Sequence, residues 1–429
     1  MDDITYFGID ISEYYSQICY FKDTMDEPVS ISAHAGTKKY LIPTVVAKRT
    51  NSSLWYIGDD ALDLADPVKN ILSKAFRKES VNVDGEMLDC IDLLTMFIRK
   101  VLALVTETPC DREKDHFIFC IDHATQMQTD TILLICDNLK INRDNVKVIS
   151  RQEAFCYYAM SREPLLRTHD VMLMDYWKNT FRVYELVKDN KTMPMVVSVK
   201  ELLYPMLNHL SDNNNMTIDE FKDHKDSVFL KALDEVLADR IISSVYLVGD
   251  GFDGDWMKRS LARICAGRRV FSGMNLYTKG ACYYGQMINR KFKNEPEYIY
   301  LGAGNMLYNI CLKVMNKGEL VYKVLVPAGY NYQDAFGMMD VIVRPSDDQS
   351  ITFYAKPLRG DNVQEFTFTL NGLVADPELT TRLRIKGRAV SPERIIIDVA
   401  TTGFGEIART KHQSWQFEML LKGKEEENV

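Results

Sequence analysis

One short pattern occurs twice in this chain of 429 residues, and it narrows the folds open to it. Residues 5–22, "TYFGIDISEYYSQICYFK", read as a strand with Asp10 near its tip, a polar break and a second strand. Residues 170–186, "DVMLMDYWKNTFRVYEL", read the same way. Here the strand is Val171 to Met174, Asp175 stands at its tip, Tyr176, Trp177, Lys178 and Asn179 form the break, and Phe181 to Leu186 form the second strand. "YFGID" aligns on "VMLMD" and brings Asp10 onto Asp175. A carboxylate at the end of an apolar strand, ahead of a hairpin, is a common holder of Mg²⁺ or of a phosphate-bound ion. Such turns are usually rich in glycine, because bare N–H groups have to approach the phosphate. In the second copy, aromatic residues stand there instead.

After the first copy, strands alternate with helices, which predicts α/β layering on a mixed sheet. "LIPTVVAKR" and "SLWYIGDDAL" are strand-like, and a long helix is predicted over Leu88 to Thr106. Then come strand "HFIFCID", helix "TQMQTDTILLICDNLKI", strand "NVKVIS" and helix "RQEAFCYYAMSR". After the second copy a polar region precedes the helix "SVFLKALDEVLADRI". In "SSVYLVGDGFDGDWMKRSLARIC" a strand meets a helix across Gly249-Asp250-Gly251, which reads equally as a ligand-contacting loop or a plain turn. From about residue 300 the helical periods stop and short strands recur, among them "SITFYAKP", "EFTFTL" and "RIIIDVATTG". That half reads as an antiparallel β-sandwich or open barrel, ending in a frayed charged tail.

Composition excludes several classes. Hydrophobic residues make up 46% of the chain, enough for a sizeable core. A net charge of -8 argues against a nucleic-acid-binding face. Nine cysteines form no C-x-x-C pair and no metal spacing with the seven histidines, so a reducing, cytoplasmic setting is expected. The N-terminus "MDDITYFGID" does not read as a signal peptide. The most apolar segment, "CIDLLTMFIRKVLALV", carries Asp92, Arg99 and Lys100 and reads as an amphipathic helix, not a membrane span.

The order of these pieces resembles the actin and sugar-kinase ATPase superfamily, most closely the DnaK-type heat-shock chaperones. "FGIDIS" is similar to the first phosphate motif, Gly-Ile-Asp-Leu-Gly-Thr-Thr, and "VMLMDYWKNTFRVYEL" stands where the second, Asp-Leu-Gly-Gly-Gly-Thr-Phe-Asp, would stand. "VKVISRQEAFCYYA" and "YTKGACYYG" resemble the two connecting helices, and "VYLVGDGFDGDWMKRSL" the adenosine motif. "EPEYIYL" sits where the family has its interdomain linker, and "VLVPAGYNY", "ITFYAKPLRG" and "FTLNGL" follow the order of the substrate-binding sandwich. The resemblance implies an α/β actin-like (ribonuclease-H-like) two-lobe ATPase domain followed by an antiparallel β-sandwich domain. Lobe I would span 1–167, lobe II with a shortened insertion 168–296, the linker 297–303, the sandwich 304–424 and the tail 425–429. It also implies ATP or ADP with Mg as cofactor. Nucleotide contacts would fall at Asp10, Ser12, Tyr14, Asp175, Lys178, Asn179, Gly249, Asp250 and Gly251, and Asp10 and Asp175 would share the metal. Ile351, Phe353, Phe366 and Phe368 are candidates for a peptide groove, or else plain core.

The departures from the family pattern bear on function. Ser12-Glu13-Tyr14 replaces Gly-Thr-Thr in the first motif; the second keeps Asp175, Thr180 and Phe181 but loses all three glycines and ends in Arg182. Glu153 lacks the following proline, the stretch between Leu186 and Ser244 is short for the adenine-clamping subdomain, and no helical lid follows the sandwich. Rings at these turns fill the phosphate pocket, or else Tyr14 and Trp177 stack a nucleobase. Glu13 sets like charge against a triphosphate, at about 3 kcal/mol per charge pair roughly 5 Å apart. The aspartates hold a divalent cation, or they cap turns and are neutralised by Lys178 and Arg182. The expectation is a DnaK-like pseudo-ATPase, without catalytic residues, acting in protein binding or scaffolding. The alternative is a nucleotide-binding chaperone-like ATPase with unusual phosphate turns. A protein or peptide partner is expected, with neither nucleic acid nor membrane.

Overall fold

The structure, a computed structural model, describes residues 4–49, 52–108, 110–178, 180–189, 192, 194–202, 204, 216–291, 297–343, 349–358, 360–373, 381–402 and 412–422. Its contacts divide the chain into two units, Met1–Lys188 with Val197–Pro296, and Asp189–Val196 with Glu297–Val429.

The first unit starts with β1 (Thr5–Ile11) and β2 (Tyr15–Lys22), an antiparallel pair. Every residue of β1 is buried, as suits a strand covered on both faces whose sequence shows no polar alternation. β3 (Val29–Ser30) extends this sheet beyond β2. On the other side of β1 lie β4 (His116–Ile121) and β5 (Val146–Ser150), both parallel to it in sense, giving the order β5-β4-β1-β2-β3. Helices α1 (Ile71–Phe76), α2 (Cys90–Leu102), α3 (Gln126–Asn138) and α4 (Arg151–Met160) accompany it. α2 begins where the Asp89 carboxylate accepts from Ile91 N at 2.7 Å, and it ends with Arg99 and Lys100 in its last turn. Its apolar stripe, including Leu94, Phe97 and Ile98, enters the core beside Phe117 and Phe119 of β4.

The second sheet of this unit repeats that plan. β6 (Asp170–Trp177) pairs antiparallel with β7 (Thr180–Asp189), which is followed by β8 (Met195–Leu202). On the other side β6 runs parallel to β9 (Ile242–Val248), and β9 parallel to β10 (Arg269–Ser272). The order β10-β9-β6-β7-β8 thus repeats the five-strand path β5-β4-β1-β2-β3 of the first sheet, each sheet carrying one further strand. Two helices go with it, α5 (Ile218–Val236) and α6 (Arg259–Cys265), whereas α7 (Leu276–Lys291) packs on α4 and on β1 and β4 of the first sheet.

Three expectations are corrected here. The break after Asp175 is not four residues long: β6 runs on through Tyr176 and Trp177, which pair with Phe181 and Thr180. Lys178, at φ 51°, follows the strand directly, and Asn179 lies outside the described residues. The stretch between Leu186 and Ser244 holds β8 and a helix of 19 residues. That helix starts well before Ser227, because Thr217 and Glu220 close a capping box, each satisfying the other's backbone N–H. The segment 297–303 is not a bare linker, since Tyr298–Tyr300 is a strand with Tyr300 buried. Residues 425–429, expected to fray, lie outside the described residues.

The second unit packs two four-stranded antiparallel sheets over one core. In chain order the strands are β11 (Tyr308–Asn316), β12 (Glu319–Val326), β13 (Phe336–Val343), β14 (Ser350–Pro357), β15 (Gln364–Thr369), β16 (Thr381–Ser391), β17 (Arg394–Thr402) and β18 (Ser414–Leu420). The sheet orders are β12-β11-β14-β15 and β13-β16-β17-β18. Alternate residues such as Leu383, Ile385, Ile397 and Val399 point inward. Ile351 and Phe353 belong to that core; Phe366 and Phe368 are half-buried against it, with Phe368 stacked on Phe417 at 4.6 Å. Their alternation is that of the inward face, and of the two readings, groove or core, all four side chains pack in or against the sandwich core. Among the described residues, no helix is long and apolar enough to cross a membrane.

Candidate functional site

The two repeated hairpins bring Asp10 and Asp175 into one buried cluster, each about 3% exposed. The cation that serves them belongs to the protein. Arg151, the first residue of α4, sends its guanidinium to Asp10, with Nε to Oδ1 at 3.2 Å and Nη2 to Oδ2 at 2.9 Å. A cation in the first turn of a helix opposes the helix dipole, so the carboxylates and not the helix account for its position. Burial works against the Arg151 charge, yet Asp10 first and Asp175 second hold it firmly protonated. The guanidinium also lies over the Tyr277 ring at 4.7 Å, and the Tyr277 hydroxyl donates to Asp175 Oδ2 at 2.6 Å. Asp10, Arg151, Asp175 and Tyr277 therefore form one network joining β1, α4, β6 and α7. The site expected to hold a shared metal is taken by an arginine, and among the described residues no three acidic, histidine or cysteine side chains cluster as metal ligands.

Among the described residues neither Lys178 nor Arg182 hydrogen-bonds to these aspartates, though the Arg182 charge still acts on Asp175 from a distance. Arg182 Nη1 reaches Asp122 Oδ1 at 2.5 Å, and Lys178 Nζ lies over the Tyr14 ring at 3.9 Å. Arg182 sits directly across the ladder from Asp175, but its long side chain carries the charge away to the end of β4.

The other phosphate-contact candidates are spent on local structure. Ser12 closes its own turn, its hydroxyl donating to Tyr15 O at 2.7 Å and accepting from Tyr15 N at 3.1 Å. Glu13 accepts from Ser73 N and Oγ at 3.2 and 2.9 Å and so anchors the start of α1. Tyr14 is exposed, and Trp177 packs against Tyr15 with ring centroids 5.8 Å apart, leaving no paired platform of Tyr14 and Trp177 for a base. Asp250 Oδ1 accepts from Lys178 N at 2.7 Å and ties the hairpin turn down. Gly249 and Gly251 face Tyr176, not a ligand. A Cβ on Gly249 would lie 2.0 Å from Tyr176 O, and one on Gly251 would lie 2.3 Å from Tyr176 Cγ. The Tyr176 ring is buried edge-on to Phe181 and Phe252, each at 5.6 Å. The glycines of this loop are there to admit a strand and its ring.

What remains between the two sheets is a cavity of about 340 Å³, walled by Leu72 and Phe76 and bounded by Asp122, Arg151, Asp175 and Trp177. Burial raises the Asp175 carboxyl to about 6, and Arg151 only partly counters it; Asp10 is raised for the same first reason. A carboxyl raised on folding adds stability that is complete below its unfolded value of 3.8 and is lost as pH climbs through its folded value. Asp175→Asn is therefore expected to be more stable than the parent above pH 6, with the difference vanishing below pH 3.8. Urea midpoints of both proteins across that range measure this, and parallel pH profiles would refute the assignment to Asp175.

Arg151, Asp122 and Tyr277 were not singled out from the sequence. The signal for Arg151 was a basic residue opening a helix right after strand "VKVIS", where an acidic one is usual.

The fold and cleft define a class: paired α/β sheets of one strand order around a buried ionic cluster, with a β-sandwich unit after them. A model described as a family of unknown function (DUF5716), C-terminal, matches residues 27–303, and one described as a domain of unknown function (DUF8552) matches residues 305–421. The chain belongs to the DUF5716 family. No curated protein matches it.

Proposed function

We propose that this chain is a degenerate member of the actin-like ATPase superfamily, related to the DnaK-type chaperones, that has given up the triphosphate site and works in the cytoplasm by binding or scaffolding other proteins. The observation that carries this reading is the Arg151–Asp10 pair, a fixed guanidinium where a metal-bound nucleotide would need carboxylates free. The matching strand orders of the two sheets support the superfamily, and Tyr176 against Gly249 and Gly251 supports the loss of the phosphate cradle. Displacing Arg151 to admit Mg²⁺ would leave its charge buried, a cost of several kcal/mol.

The second reading, retained nucleotide binding at unusual turns, has one observation in its favour. A cavity of about 530 Å³ beside the first hairpin gathers Lys38, Lys69 and Lys178 with Tyr14 and Tyr15. Thermal unfolding with and without millimolar Mg-ATP separates the two. The melting temperature is expected to stay where it is; a rise of several degrees would show that the folded state binds nucleotide and would end the pseudo-ATPase reading.

A further inference from the structure

The outer face of the second sandwich sheet carries two unlike rows of side chains on adjacent strands. On β16, "TRLRIKGRAVS", every second residue from Arg382 to Arg388 is a cation: Arg382, Arg384, Lys386 and Arg388. Their neighbours Leu383 and Ile385 point into the core, so the alternation holds all four cations on the outer side. β13 lies beside this strand in a fixed register, with Phe336 opposite Arg388, Met338 opposite Lys386, Asp340 opposite Arg384 and Ile342 opposite Arg382. Phe336, Met338 and Ile342 are 74, 61 and 62% exposed. Exposed apolar residues scattered singly are ordinary; three sharing one line of a sheet face are a patch.

The charges of this face are unevenly paired. Asp340 takes both Arg382 and Arg384, and Glu418 of β18 takes Arg394. Asp398 of β17 stands across from Lys386, but its carboxylate accepts from the Gln416 amide at 2.7 Å. Among the described residues Lys386 and Arg388, both exposed, are in no ion pair. One end of the face thus presents two unpaired cations beside Phe336 and Met338, on a chain whose net charge is -8. Its complement is apolar along one line and carries carboxylates along the next.

Spacing decides the shape of that complement. Successive outward residues of a strand are roughly 7 Å apart, and neighbouring strands about 5 Å. An extended segment laid on the face turns a single line of side chains towards it. An α-helix turns two: positions i and i+4 are about 6 Å apart along the axis, and the adjoining line i+3, i+7 keeps the same step. A helix lying along β13 and β16 sets an apolar stripe on Phe336 and Met338 and an acidic border on Arg388 and Lys386. An anionic bilayer fits less well, because Asp340, Asp398 and Glu418 share the face and would be pressed against its headgroups.

We propose that this face docks an amphipathic helix of a partner protein, with large apolar side chains over Phe336 and Met338 and carboxylates on Lys386 and Arg388. The inference rests on the protein-binding reading and names the chemistry of the partner. The two fail separately: absence of helix binding leaves the exclusion of ATP standing, while binding of Mg-ATP is read directly in its own melting experiment.

Fluorescence anisotropy of a labelled synthetic helix of leucine, alanine and glutamate, with the leucines in one stripe and the glutamates bordering it, tests the proposal when the full chain is titrated in. Binding is expected at submillimolar protein and should weaken as salt is added. Lys386→Glu combined with Arg388→Glu should weaken it at least about tenfold, and so should Phe336→Ser combined with Met338→Ser. All four side chains are exposed, and either pair decides the matter if the other does not fold. Lys140→Glu with Lys231→Glu, which changes the net charge equally but in the other unit, should leave binding unchanged. The proposal is overturned if the acidic helix does not bind, if the same helix with lysine for glutamate binds as well, if either pair of substitutions on the sheet binds as the parent does, or if the Lys140 and Lys231 pair weakens binding as much. It is also overturned if vesicles of phosphatidylserine and phosphatidylcholine sediment the protein while the helix leaves it unbound.

Discussion

Arg151→Met is expected to lower the unfolding free energy by about 3–5 kcal/mol at neutral pH, read from urea denaturation. The substitution keeps most of the apolar stem and removes only the charge and its hydrogen bonds. Asp10, itself about 3% exposed, then loses both of its guanidinium contacts, at 2.9 and 3.2 Å. Asp175 loses the nearby positive charge that partly offset its burial. Breaking one side of a buried pair costs far more than the pair contributes, because the stranded charge has to be neutralised or hydrated. The loss should shrink towards pH 4, where protonation relieves the two carboxyls; both are already raised by burial, so their protonated forms favour the folded state. Adding Asp10→Asn to Arg151→Met should restore part of the stability, a coupling that independent sites would not show. A loss below about 1 kcal/mol for the single variant would mean that some other cation serves the aspartates, and the metal-site reading would return.

Long-range partnerships are what the sequence hid. The strands carrying Asp10 and Asp175, the amphipathic helix around Phe97 and the alternation of the sandwich strands are local patterns, and they could be read directly. The pairing of Asp10 with Arg151 spans 141 positions and that of Tyr277 with Asp175 spans 102, and no local period encodes either. The same limit explains Arg182: its place across from Asp175 was legible from the hairpin, but its turn towards Asp122 depends on where β4 ends. The turn residues Tyr176 and Trp177 were misplaced for another reason. Aromatics favour strands, and this preference extended β6 beyond the point where a phosphate turn would have broken it. The same propensity that spoils a phosphate cradle also lengthens the hairpin.

Gly249→Ala is expected to cost about 3 kcal/mol or more, against a milder loss for Gly251→Ala, and the contrast tests what the loop is for. Gly249 sits at φ 114° and ψ 155°, a region closed to residues with a Cβ, and the added methyl would meet Tyr176 O at 2.0 Å and Tyr176 C at 2.5 Å. That obstacle is the backbone of β6 itself, which cannot yield without disturbing its pairing with β7 and β9. At Gly251 the obstacle is the ring of Tyr176, with Cγ at 2.3 Å and Cδ1 at 2.5 Å. Truncating that ring should make room. In a Tyr176→Ala background, itself destabilised by the cavity left beside Phe181 and Phe252, Gly251→Ala should cost at least about 1 kcal/mol less than it does alone. Gly249→Ala should cost the same in both backgrounds, because the carbonyl it strikes is present in each. If Tyr176→Ala relieved neither substitution, the ring would not be the reason for Gly251, and a ligand approaching the bare loop would again be the better account of this Gly-Asp-Gly turn.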